Sequence, residues 1–70
     1  MYKIIDVVEL IKDIPSKNLK KGTLGTIVEI LQEQPNGIFE VEFCNENGET
    51  LMTAVLCNDD FILYCKHTEK

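Results

Sequence analysis

The stretch Asn18-Leu19-Lys20-Lys21-Gly22-Thr23-Leu24-Gly25-Thr26-Ile27-Val28-Glu29-Ile30 decides how the chain folds. Two glycines three residues apart lead directly into a β-branched run. Glycine accepts positive φ and lets another group approach the backbone closely, so Gly22 and Gly25 predict a tight turn feeding a strongly bent strand. β-branched side chains suit a pleated, half-buried surface, which assigns Gly25 to Leu31 to that strand. A small β-barrel enters its second strand in this way.

Toward the C-terminus, Gln32 to Gly37 carries Pro35 and ends on Asn36-Gly37, a turn signal. Ile38 to Cys44 then alternates cleanly: Phe39, Val41 and Phe43 point one way, Glu40 and Glu42 the other. Asn45-Glu46-Asn47-Gly48 is a second hairpin signal, and Glu49 to Leu56 makes the next strand. Cys57-Asn58-Asp59-Asp60 supplies side chains that cap a short turn of 3-10 type. Phe61 to Cys65 closes the set, and residues 67–70 read as a frayed tail.

Toward the N-terminus, Tyr2 to Ile11 fits either a helical face (Ile4, Val8, Ile11) or one side of a strand (Val8, Leu10). Its β-branched enrichment and lack of an N-cap favour the strand. Lys12 to Lys21 is a long polar connection in which Pro15 keeps Ile14 out of a helix. The sum is an all-β chain: a five-stranded SH3-like small barrel with a 3-10 turn before its last strand, one domain over residues 1–66. Its expected core is Val8, Leu10, Ile27, Ile30, Phe39, Val41, Phe43, Met52, Ala54, Phe61 and Leu63.

Composition narrows the function. The 70 residues suffice for one core, and 44% apolar with 27% charged residues is ordinary for a globular domain. Net charge is −5, with every positive side chain a lysine. Phosphate backbones are gripped by clustered Lys and Arg, and bases are read most often by Arg, so nucleic acid is an unfavourable partner. An anionic membrane surface is equally unfavourable, and a basic protein is favoured. Cys44, Cys57 and Cys65 form no C-x-x-C pair, and an odd count leaves a free thiol. With no signal-peptide pattern and no membrane-length apolar run, a reducing cytoplasm is the expected compartment.

Catalytic and cofactor readings find little footing. Gly22 and Gly25 lack the Lys-Ser/Thr of a phosphate loop and the third glycine of a dinucleotide fingerprint. The one serine, Ser16, lies in a loop and the one histidine, His67, in the tail, so no nucleophile has a base beside it. Asp59 and Asp60 read as turn-capping residues. Cys44, Cys57, Cys65 and His67 lack the spacing of a zinc site. The expectation is a non-enzymatic chain without cofactor or metal.

Asp6-x-Val8-x-Leu10 followed by Leu19-x-x-Gly22-x-x-Gly25-Thr26-Ile27-Val28-Glu29-Ile30 resembles the KOW-type half of SH3-like barrels. With Phe39-Glu40-Val41-Glu42-Phe43, Asn47-Gly48-Glu49-Thr50 and Asp59-Asp60-Phe61 added, the order resembles more closely a bacterial family, domain of unknown function 4926, common in cyanobacteria. The resemblance spans roughly residues 3 to 63 and rests on structural glycines and core positions, so it implies a fold and transfers no catalytic residue. By fold it is also similar to the small stromal subunit of photosystem I and the variable chain of ferredoxin–thioredoxin reductase, both scaffolds that dock on larger proteins.

Two residue sets are left as candidate sites. Glu29, Glu40 and Glu42 form an acidic strand face suited to a basic protein; Lys17, Lys20 and Lys21 form a basic patch on the first loop. The leading expectation is a protein-binding module, such as an antitoxin or immunity-type inhibitor or a small regulatory subunit, docking by either set. The alternative is a KOW-like RNA or ribosome binder using Lys17, Lys20, Lys21 and Tyr64, with Tyr2 the other aromatic outside the expected core. Homo-oligomerisation through an open barrel edge is a third.

Overall fold

The computed structural model describes residues 2–45 and 47–65, Cys65 through its backbone only. It contains β1 (Val7–Leu10), a 3-10 turn at Pro15–Lys17, β2 (Leu24–Gln32), β3 (Ile38–Cys44), β4 (Thr50–Cys57) and β5 (Phe61–Cys65). All pairings are antiparallel in one sheet of order β4-β3-β2-β1-β5. Strands β3 and β5 span the residues expected, and β2 and β4 differ by one residue at each end. The expected tail at residues 67–70 lies outside the described residues.

Three expectations are corrected. First, β1 is much shorter than Tyr2 to Ile11. The Asp6 N–H donates to the Lys3 carbonyl at 3.1 Å and the Asp6 carboxylate accepts the Lys3 N–H at 2.9 Å. These bonds close a turn around Ile4 and Ile5, with Ile5 at φ +80° and Asp6 buried. Second, the 3-10 turn lies in the first loop and not before β5. Pro15 pre-sets the helical φ at its start and has no N–H to leave unpaired. Residues 57–60 instead make one hydrogen-bonded turn, Asp60 N–H to the Cys57 carbonyl at 2.9 Å.

Third, hydrogen bonding does not close the sheet. That turn hands the chain from β4 to the far side of the sheet, where β5 pairs with β1 and not with β4. The sheet curls nonetheless. Register shifts between Ile27 and Glu29 and between Ile30 and Gln32 place extra residues in β2, which bend it.

The two glycines act by different physics. Gly22 takes φ +93°, and its N–H donates to the Leu10 carbonyl at 2.8 Å, so the turn itself requires it. Gly25 has no positive φ. A Cβ there would lie 2.7 Å from both Phe43 and Val41, so its bare backbone makes room for the core.

The concave face buries Val8, Leu10, Ile27, Phe39, Val41, Phe43, Ala54 and Phe61, as the alternation implies, with Ile30 and Met52 half-buried. Leu19 and Leu56 join them and stand outside the expected core, although Leu56 continues the Met52–Ala54 alternation. Leu56 sits opposite Phe39, on the same inward face as Ala54. Leu63 faces inward opposite Val8 but stays 41% exposed, since among the described residues no strand pairs with the outer edge of β5.

Gly25→Ala should destabilise the fold by about 1–3 kcal/mol through overpacking against Phe43 and Val41. Gly22→Ala should cost about 1–2 kcal/mol through backbone strain alone. Adding Phe43→Leu should recover part of the first loss and none of the second, measured by urea unfolding.

Candidate docking face and groove

On the convex face, Glu42 stands between Thr26 of β2 and Thr53 of β4, and Glu40 stands between Glu29 and Val55. Simple pairing after Ile27↔Val41 would set Val28 opposite Glu40. The register shift at that point inserts Val28 as the extra residue and brings Glu29 there instead. Two carboxylates thus oppose each other directly, an arrangement that costs stability. Among the described residues the one ion pair is Lys12 Nζ to Asp60 Oδ1 at 3.3 Å, so no described lysine bridges Glu29, Glu40 or Glu42. Glu42 accepts a hydrogen bond from the Thr50 hydroxyl at 2.6 Å. The structure therefore brings all three predicted acidic residues onto one face.

The lysines divide. Lys17 and Lys20 line a groove of about 700 Å³ with Leu19, Phe43, Cys44, Leu51 and Met52. Leu19 anchors this rim: it is buried, and Ile14 and Leu19 bridge across the loop, so the polar connection folds over the start of β4. Lys21 is not part of the groove; its N–H donates to Asp13 Oδ1 at 2.8 Å. The apolar floor was not anticipated. Leu51, 65% exposed, lies where the β3–β4 register shifts between Phe43 and Cys44, which the sequence pattern does not display. A usable signal was the absence of any charged residue from Thr50 to Cys57.

The aromatic candidates separate as well. Tyr2 packs edge-on against Phe39 at 5.4 Å and Phe61 at 5.1 Å between ring centroids, so it is half-buried against the core. Tyr64 is exposed on β5, across the sheet from the β4 strand that borders the lysine groove.

Asp60 fastens the β4–β5 turn. Its carboxylate accepts the Cys57 N–H at 3.0 Å and meets Lys12, and its carbonyl accepts the Ile11 N–H at 3.0 Å. Burial by itself would raise its pKa. The Cys57 N–H, Lys12 and the Cys57 thiol outweigh that, and the carboxyl titrates below its ordinary value. Cys44 is exposed and Cys57 half-buried, both as free thiols; the Cys65 side chain and His67 lie outside the described residues. Among the described residues no three His, Cys, Asp or Glu side chains gather as metal ligands, and no helix is long and apolar enough to cross a membrane.

A family model described as a domain of unknown function (DUF4926) matches residues 4–63. The chain belongs to that family. The DUF4926 span takes in both glycines, the acidic face and the whole groove lining, and its description names no activity. No curated protein and no solved structure matches the chain.

Glu29→Lys should replace a like-charge pair by an opposite-charge pair and stabilise the fold by roughly 0.2–1 kcal/mol. The gain should shrink in high salt, read from urea midpoints. Asp60→Asn should cost about 1 kcal/mol at neutral pH. Because the folded-state pKa is depressed, the Asp60 contribution is present above the unfolded carboxylate range. It is lost as pH falls through the folded value, which lies below the ordinary carboxylate range, so wild type and variant should converge only at pH values below that range.

Proposed function

We propose that this chain is a small, non-enzymatic protein-binding module that docks a basic surface of a larger protein through Glu29, Glu40 and Glu42. One observation carries the reading: Glu29 and Glu40 face each other across β2 and β3 with no described lysine bridging them. A marginally stable small domain that keeps a repulsive pair on a rigid face gains when a cationic partner neutralises it. The net charge of −5 acts in the same direction, steering a basic partner onto the face. An antitoxin or immunity-type inhibitor covering the cationic site of a nuclease fits this chemistry, as does a regulatory subunit. The cytoplasm is the compartment consistent with the free thiols Cys44 and Cys57.

An SH3-like grouping of the fold belongs to the same reading. The strand order and the long first loop folded over one end of the sheet support it. RNA or ribosome binding by Lys17, Lys20, Lys21 and Tyr64 has less behind it, since neither the exposed Tyr64 nor Lys21 lines the groove that Lys17 and Lys20 border.

The test uses the tagged chain as bait in an extract of its own host at low salt, with nuclease-treated and untreated halves. A single protein in stoichiometric amount, indifferent to nuclease and lost with Glu40→Lys/Glu42→Lys, is the expected result. Ribosomal proteins that vanish on nuclease treatment would overturn the reading.

A further inference from the structure

We infer that the free edge of β4 accepts an extended, basic segment of the protein partner as an added strand, an inference that rests on the docking reading above. The hydrogen-bond phase shows which backbone groups are available. The Asn58 N–H donates to the Gly37 carbonyl at 3.0 Å, which makes residues 37 and 58 a hydrogen-bonded pair. Antiparallel ladders alternate, so the Phe39–Leu56, Val41–Ala54 and Phe43–Met52 pairs are hydrogen-bonded too. The N–H and C=O groups of Thr53 and Val55 therefore point away from β3, out of an edge that no described strand covers. Cys57 follows the same phase: its outward N–H is taken by the Asp60 carboxylate at 3.0 Å.

Open edges are ordinarily blunted by charge, proline or a bulge. The eight residues of β4, Thr-Leu-Met-Thr-Ala-Val-Leu-Cys, contain no charged residue, no proline and no glycine. The opposite edge, β5, is shorter, and a register shift against β1 between Val7 and Val8 bends it. Strand β4 is the longer and more regular template, its one shift lying at the Phe43–Cys44 end.

Charge selects the occupant. An added strand lies about 4.8 Å beyond β4, with its convex-face side chains beside Thr53 and Val55. One strand behind those residues stand Glu42 and Glu40. A lysine or arginine on the added strand spans Thr53 or Val55 to reach these carboxylates, while its alternate side chains meet Met52 and Ala54 on the concave side. A second copy of this chain would bring another Glu40 and Glu42 onto the same continuous face at a net charge of −5 per copy. The occupant is thus a segment of alternating basic and apolar residues.

Proline at an outward-pointing position deletes an N–H that the fold leaves unused, so Thr53→Pro should remain folded, while Ala54→Pro, which deletes a ladder bond, should not. The probe is a short synthetic peptide alternating lysine and valine, titrated into the full chain and read by NMR. The Thr53 and Val55 amides should become protected from exchange, and Thr53→Pro should weaken binding by about tenfold. Peptide binding that Thr53→Pro leaves unchanged but Glu40→Lys/Glu42→Lys removes would overturn the edge inference and keep the acidic face. No binding by the wild-type chain would overturn the inference as well. So would a dimer of the chain alone, seen by sedimentation equilibrium and abolished by Thr53→Pro, because the edge would then belong to a second copy.

Discussion

Phe39 on β3 and Phe61 on β5 are separated in the sheet by β2 and β1, yet their ring centroids lie 5.7 Å apart. Three strand spacings in a flat sheet amount to about 14 Å. The rings meet only because the sheet folds over on itself, and Tyr2 packs edge-on against both. Most other features serve this contact. The register shifts in β2 supply the bend, Gly25 clears the space that Phe43 and Val41 need, and the Asp60 turn carries the chain to the edge from which Phe61 reaches back. A single sheet thereby encloses a core that two packed layers would otherwise be needed to make.

The same curvature explains what the two faces present. Apolar residues at period two fill the concave side, which leaves the alternate residues Glu40 and Glu42 on the convex side. The bend in β2 then decides which of its residues joins them. The extra residue that curves the strand is also the one that turns Glu29 toward Glu40. Fold and surface chemistry share one irregularity: straightening β2 would set Val28 there and relieve the repulsion.

Much of this was legible in the sequence, for identifiable reasons. The alternation in Phe39-Glu40-Val41-Glu42-Phe43 follows from pleat geometry and needs no tertiary information, and the asparagine–glycine turns are local chemistry. What escaped depended on distant partners. Leu19 sits in a polar loop and is buried only because that loop folds over the end of the sheet. Tyr2 looked like a spare aromatic until Phe61 arrived beside it. The turn around Ile5 needs a β-branched residue at φ +80°, which propensity argues against and the Asp6–Lys3 bonds impose. The acidic residues were legible as a face, whereas the direct opposition of Glu29 and Glu40 was not, since a register shift leaves no mark in residue type.

The pairing of β5 with β1 has a consequence for how the chain assembles during synthesis. Strands β2, β3 and β4 each find a neighbour across a short hairpin, so that meander has its ladder partners as soon as it emerges. Strand β1, made earlier, waits for residues 61–65 before its second edge is covered and Tyr2 can seat against Phe61. Loop-closure entropy makes such a non-local step the slow one. Until residues 61–65 are free to pair, β1 has only β2 beside it and Val8 and Leu10 are less covered than in the folded chain.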